Sequence, residues 1–549
     1  MPTSLTRRDA VAVSGSLLTL MLTGSNTTAP TTNNGSRVTP GGDTIDVTAA
    51  PFSAAGDGRG DDAPAIQRAV DALPATGGTV RLPGPRIYRL GHTIRDGTKP
   101  VSFEIGHAQV IGPDDGPLFE LHNNGSSIAG AGPGATILRM SAPARAPTLP
   151  IFDALLDGGK VRGVRFVSTG SGLASTPLID VADSPTHDGA ALIAKVGQGQ
   201  VVDVRCVATG AAYTRPPPLR IIGGGECAIR MHQASHCRLS GFTLDMANIP
   251  HAAGIFQYGG WYVQVERIDI DKDRQHATAI GLVIDSHTLG EAGHNGNWGG
   301  AYVNRYAQVV TRRCYVVGHD SSTATTMHFD TLDAANIHLH GAVGILLSNV
   351  VLQGSEGAFL DLVNVDALSM IGGDVEGPAT FMRTRGTCNN LRLSPLAYAA
   401  NGPFVQGPVG AGWRIDLAAV NSQAETLHTG NGGSAGIAYQ NTGWLEKHRV
   451  GIQFAGSSIV FSSNLRMIGP YEGILDNPAN PGFALLLTIS GQLVLRYAPP
   501  GNGKLKLLDM AMFDQGGVQL HNLPNSRPPQ GANRLWYDPA DGNRVKFMP

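Results

Sequence analysis

Short β-rich runs recur along this 549-residue chain at intervals of roughly 20 to 30 residues, separated by Gly, Asn and Asp turns. VSFEI from Val101, SIAG from Ser127, VRGVRF from Val161, CRLSGF from Cys237 and VQVERI from Val263 are early members. VGILL from Val343, LSMI from Leu368 and LRL from Leu391 close the series. Several alternate apolar and polar residues, as half-buried strands do. So short a run cannot bury its apolar face alone, whereas coils stacked on one another share a single extended core. A chain of this length then needs no division into several globular domains. Composition agrees: charged residues are only 15%, while 72 Gly and 35 Pro supply turns and 42% hydrophobic residues argue against disorder. An array of β-sandwiches is the competing architecture.

The segment from Asp46 to Leu90 has a different grammar. GDGRGDD, from Gly56, is a polar turn cluster ending in a carboxylate able to cap a helix. AIQRAVDAL follows, with Ile66, Ala69, Val70 and Leu73 on one helical face. Gly77-Gly78 stops the helix, and TVRLP from Thr79 reads as a strand. In that order, GDGRGDD, AIQRAVDAL and GGTVRLPGPRIYRL resemble the N-terminal cap of pectate-lyase superfamily proteins related to rhamnogalacturonases and phage tailspikes. The resemblance covers about 45 residues. It implies an all-β fold: a right-handed, single-stranded parallel β-helix with an N-terminal capping helix and a C-terminal β domain. A cap makes physical sense, because an open coil end exposes unpaired strand edges and an apolar interior. GAGPGATIL, from Gly130, resembles an early turn of the same superfamily; no βαβ pattern surrounds it, so it is not a dinucleotide fingerprint.

Three regions divide the chain: 1–42 as export signal and linker, 43–406 as capped β-helix, and 407–549 as a C-terminal β region. Arg7-Arg8 precede an apolar stretch from Val11 to Leu22 that is too short to span a bilayer, and together they resemble a twin-arginine export signal. The expected location is periplasmic or extracellular. Within the helix, two β runs around Ala191–Val196 and Gly199–Val207 form a strand–turn–strand unit, a module inserted at about 187–224 that resembles one found in tailspike-like proteins. Near the C-terminus, Leu485 to Tyr497 and Lys504 to Leu508 are β-like. The last strands, from Arg534, resemble those of tail-fibre proteins and point to a homotrimer; an ordinary closing hairpin is the equal alternative. A net charge of −2 gives no attraction to nucleic acid, and no later segment suits a membrane span. Five cysteines without C-x-x-C spacing form neither a disulfide framework nor a zinc pattern.

Carboxylates two apart on a strand face one groove about 6.6 Å apart. Asp374 and Glu376, in GGDVEG, meet that condition, and if the interval from Glu356 to Glu376 is one coil, Glu356 stacks beside Glu376. Acids this close drive their pKa values apart, as a glycosidase requires. Asp269, Asp271 and Asp273 alternate as one acidic face, a set for calcium or simply a solvated strand end. His328 and Asp330 share a strand face as a second acid/base pair, with Asp333 close by. The loop from Ser286 to Gly300 holds Glu291, His294, Asn297 and Trp298, a group suited to sugar binding through stacking and hydrogen bonds. Its His287 and His294 lack a third ligand for zinc. No G-x-S-x-G or Walker A motif is present.

The expected function is an exported enzyme that cleaves a polysaccharide, with hydrolysis by paired carboxylates ahead of β-elimination. Hydrolysis requires no cofactor, whereas the lyase alternative implied by the resemblance would use calcium. The alternative from another class is a non-catalytic, tailspike-like glycan-binding or structural protein.

Overall fold

The computed structural model describes residues 44–142, 146–182, 188–286, 300–319, 324–354 and 357–394, and shorter stretches between 397 and 548. The export segment, 1–42, lies outside the described residues. From Thr44 the chain winds as a parallel β-helix whose coils contribute strands to three walls.

The first wall shows why these runs become strands. Its inward positions stack in register from coil to coil as Val80, Phe103, Ile128, Leu239, Val265, Tyr306, Phe329, Leu347, Met370 and Leu393. All ten are fully buried, each contributing about 1.5–3 kcal/mol of hydrophobic stabilisation. The residues on either side of each one point outward, as the period of two demands. Corners between walls are equally regular. Three residues before six of these register positions stands a left-handed residue that is not glycine: His236, Tyr262, Val303, Thr326, Ala367 and Asn390 all have φ between 53° and 58°. Each costs about 1–2 kcal/mol, and the stacked ladders on both sides hold the turn. Where two turns meet backbone to backbone only Gly fits: a Cβ on Gly130 would lie 2.2 Å from the Gly241 carbonyl oxygen.

The one long helix among the described residues, Ala63–Ala72, buries Ala65, Ile66, Ala69 and Val70 over the first coils. Its capping carboxylate is Asp61, which accepts from the Ala63 N–H at 3.0 Å and the Gly91 N–H at 2.7 Å. Asp62 instead ties the preceding turn to the coil, accepting from the Gly56 N–H at 3.1 Å and the Arg89 N–H at 3.3 Å.

After strand Ile137–Arg139 the chain leaves the coils, and it returns at Cys227–His232. Between them stand an antiparallel hairpin, Ile151–Asp157 with Lys160–Ser168, and a four-stranded antiparallel sheet. The sequence places 161–166 in a coil; the structure pairs it with Ile151–Asp157 instead, because alternation marks a strand without identifying its partner. The sheet contains the expected pair, Ala190–Gly197 and Gln200–Thr209, and also Leu178–Val181, upstream of position 187. It lies on the outward face of the third wall. Leu178, Ile193 and Ile222 of the sheet pack against Cys227, Phe256, Ile280, Val283, Tyr315 and Val317 of the wall.

Parallel stacking runs beyond residue 406, through Arg414–Asp416 to Ala438–Gln440. A five-stranded antiparallel sheet follows between Ile459 and Leu520, in which Gly482–Leu487 and Leu493–Ala498 pair as a hairpin. The last described strands, Arg534–Asp538 and Arg544–Met548, form an antiparallel hairpin.

Candidate active site

The second wall gathers acids that are far apart in sequence. Its outward row runs, in register, Thr243, Asp269, Val310, Asp333, Val351, Asp374. Aspartate thus occupies every second rung, with valine between. Two rungs correspond to about 9.6 Å across the sheet. In the opposite direction the same row continues through Ile137, Gln109 and Ile87. These three line a concavity of about 440 Å³ at the cap end, together with Asp57, Arg86 and His107.

Asp269 and Asp333 differ in environment. Burial pushes the Asp269 carboxyl above its ordinary value, repulsion from Asp271, Asp333 and Asp273 adds to this, and Lys272 opposes it. Asp333 is ion-paired with the Lys272 ammonium. Lys272 reaches it because the strand ends at Ile270 and a short 3-10 turn, Lys272–Arg274, follows. That turn corrects the expected Asp269–Asp271–Asp273 face. Asp271 caps it, accepting from the Asp273 N–H at 3.1 Å, and Asp273 is exposed on it, so the three do not alternate along one strand. An oxygen cage for calcium is not formed by them.

Asp374 is half-buried, next in the row after Asp333. Glu376 is exposed and accepts from Gln353 Nε2 at 2.8 Å. Gln353, not Glu356, stacks beside Glu376: the coil spans 23 residues here, longer than the interval assumed from sequence. Glu356 itself lies outside the described residues, as do Glu291, His294, Asn297 and Trp298.

His328 and Asp330 point outward from first-wall strand Ala324–Asp330, half-buried, and a third residue joins them. Ser348, opposite Asp330 on the next coil, hydrogen-bonds His328 Nε2 at 2.8 Å and donates to Asp330 Oδ1 at 3.0 Å. Arg305, opposite His328 on the preceding coil, approaches Asp330 at 3.6 Å.

Sequence reasoning passed over Asp333 as a partner of Asp269, and Ser348 altogether. Both depend on coil register, and the register changes with every turn length.

Beneath the inserted sheet lies another charged set. Asp361, 1% exposed, binds Arg385 and Arg383 of the next coil and accepts from or pairs with His338 Nδ1 at 3.0 Å. Its ligand-type atoms lie within 4.8 Å of those of His338 and His340. A divalent ion does not fit, because two guanidiniums already hold the carboxylate and further positive charge would be uncompensated in a buried place. The set joins the module to the coil instead: Arg383 reaches Asp180 at 3.5 Å, and Arg385 Nη1 donates to the Ala190 carbonyl at 2.8 Å.

No family model and no curated protein matches the sequence. Among solved structures, the Dettilon tailspike protein is similar at 10% identity, over 87% of this chain and 91% of that one, with a TM-score of 0.31. An exopolygalacturonase of family 28 from Yersinia enterocolitica is similar at 11% identity, over 73% and 79%, with a TM-score of 0.35. A mannuronan C-5 epimerase module from Azotobacter vinelandii is similar at 12% identity, over 73% and 96%, with a TM-score of 0.30. Likenesses this distant carry no argument for chemistry, which rests on the geometry of the walls themselves.

Proposed function

We propose that the protein is a polysaccharide hydrolase whose substrate lies along the outward row of the second wall. The observation that carries this reading is the Asp269–Asp333 pair: two coupled carboxylates in contrasting environments, on one face, two rungs apart. Asp269, pushed toward its protonated form, donates a proton to the glycosidic oxygen. Asp333, ion-paired with Lys272, is the base that activates water on the other side of the sugar. A spacing of about 9.6 Å between their strands is close to the ~6.5–9.5 Å carboxyl separation of inverting enzymes, which leaves room for that water. Lys272 is a positioning residue here, since it acts through Asp333. Asp374 extends the acid row by two more rungs, and a row of acids disfavours polyuronates, so a neutral polysaccharide fits best.

The test is incubation with neutral and uronic-acid-containing exopolysaccharides. Hydrolysis yields new reducing ends without new ultraviolet absorbance, and Asp269→Asn and Asp333→Asn each slow it by at least about 100-fold. A conjugated double bond in the products would establish β-elimination instead. Tight binding with neither product would establish a glycan-binding role, and full activity in both variants would remove these residues from the chemistry.

A further inference from the structure

The His328–Ser348–Asp330 cluster stands apart from the acid row, on a different wall, and its geometry is that of a nucleophile with its base. We propose that Ser348 is the nucleophile of a second activity, the hydrolysis of acyl esters such as the O-acetyl groups of a glycan.

Three facts support the assignment. Ser348 Oγ lies 2.8 Å from His328 Nε2, within the reach that proton transfer requires. All three side chains are half-buried on an outward face, so a substrate reaches them while their surroundings limit hydration. The Ser348 hydroxyl bonds both His328 and Asp330 of the preceding coil, so base and carboxylate converge on one oxygen. The Ser348 proton has two acceptors in reach, Asp330 Oδ1 and the Nε2 lone pair of neutral His328. Donation to Nε2 is the reactive arrangement.

The chemistry then balances without any added oxidant or cofactor. Ser348 Oγ bonds to the acyl carbon as its proton passes to His328 Nε2. The tetrahedral oxyanion collapses, the bond from acyl carbon to sugar oxygen breaks, and that oxygen takes the proton from His328. Water, deprotonated by His328, then bonds to the acyl carbon; the bond from that carbon to Ser348 Oγ breaks, Oγ takes the proton back from His328, and the carboxylic acid is released. The Asp330 carboxylate stabilises the imidazolium formed in each half-reaction, and Arg305, opposite His328 in register, is the nearby cation for the oxyanion. The absence of a G-x-S-x-G elbow is no obstacle, because Ser348 and His328 come from successive coils, 20 residues apart.

The full chain is treated with a fluorophosphonate probe and mapped by peptide mass, and its hydrolysis of p-nitrophenyl acetate is followed in parallel. A covalent adduct on Ser348 is expected. Ser348→Ala and His328→Ala should each lose the adduct and at least about 100-fold of the ester hydrolysis. His328→Ala leaves the serine in place, so its loss of labelling reports on activation rather than on the target atom. Ser369→Ala, on the same wall face, should change neither readout. No adduct at Ser348 in the native chain, or wild-type ester hydrolysis in a folded Ser348→Ala variant, overturns the proposal. Either result leaves the glycosidase reading untouched, since that rests on different residues and a different bond.

Discussion

The second and third walls are built from the same coils, yet their outward charges do opposite things. On the second wall Asp269, Asp333 and Asp374 face water at every second rung, with valines between and Lys272 beside Asp333. On the third wall, under the inserted sheet, Asp361 is held by Arg383 and Arg385 of the following coil and His338 of the preceding one. On the open wall partial burial raises the Asp269 carboxyl and repulsion from the neighbouring acids adds to it, while its outward side remains within reach of a substrate. The covered wall removes its charges from water, so each must be paired where it stands. Coverage, rather than residue type, separates an acid open to a substrate from a structural one.

Exchanging the consequences of the two walls would break that comparison, and the largest expected effect lies on the covered side. Asp361→Ala leaves Arg383 and Arg385 buried without their shared counter-ion, a loss of about 3–5 kcal/mol. Urea unfolding should show it as a lower midpoint. Asp269→Asn and Asp333→Asn should do the reverse, reducing glycosidic cleavage while stability stays within about 0.5 kcal/mol. If Asp361→Ala melts like the native protein, the module is not anchored through this cluster.

Acid should separate the walls by a smaller step. Burial lowers the pKa of His338, and that of His340 to about 4, so His340 is neutral in the folded protein near pH 6 and His338 is shifted in the same direction. The unfolded chain takes up those protons below the ordinary histidine value of about 6.5. Stability is therefore complete above that value and falls as pH drops from about 6.5 toward 4, by up to about 1.4 kcal/mol per pH unit for His340, with His338 adding in the same direction. Asp361, held well below the ordinary carboxylate range by the two arginines and histidine bonds against its own burial, adds its loss only at lower pH. Hydrogen exchange of the inserted sheet across this range should detect loosening there first, and a His338→Gln, His340→Gln double variant should flatten the window. Protection that does not vary with pH would show that the histidines do not control the joint.

Much of the fold was legible in sequence because it depends on local chemistry: the capping helix shows its face at Ile66, Ala69 and Val70, and first-wall strands show alternation from Val101 to Leu393. Register was not legible. One coil spans 23 residues from Gln353 to Glu376, and 18 separate Asp330 from Ser348, so no fixed period predicts which side chains stack. That is why Glu356 was matched with Glu376 and why Ser348 went unseen. The joint was hidden for a related reason: Asp180 and Arg383 meet only because a module excursion folds back over later coils.

The smallest expected effect sharpens the second wall itself. Glu376 and Asp374 share a strand, but Glu376 stands one row further out, exposed and bound to Gln353 Nε2. Its carboxylate lies outside the Asp269–Asp333–Asp374 row. Glu376→Gln keeps the side-chain shape and an acceptor for Gln353, so glycosidic cleavage should change by less than about 3-fold and stability by less than about 0.5 kcal/mol. Asp374→Asn, within the row but beyond the reacting pair, should raise KM more than it lowers kcat, because it alters a sugar contact rather than a proton transfer. A fall of about 100-fold in kcat for Glu376→Gln would move the chemistry along the wall to the Asp374–Glu376 pair, and Asp269 would then be one more acid in the row.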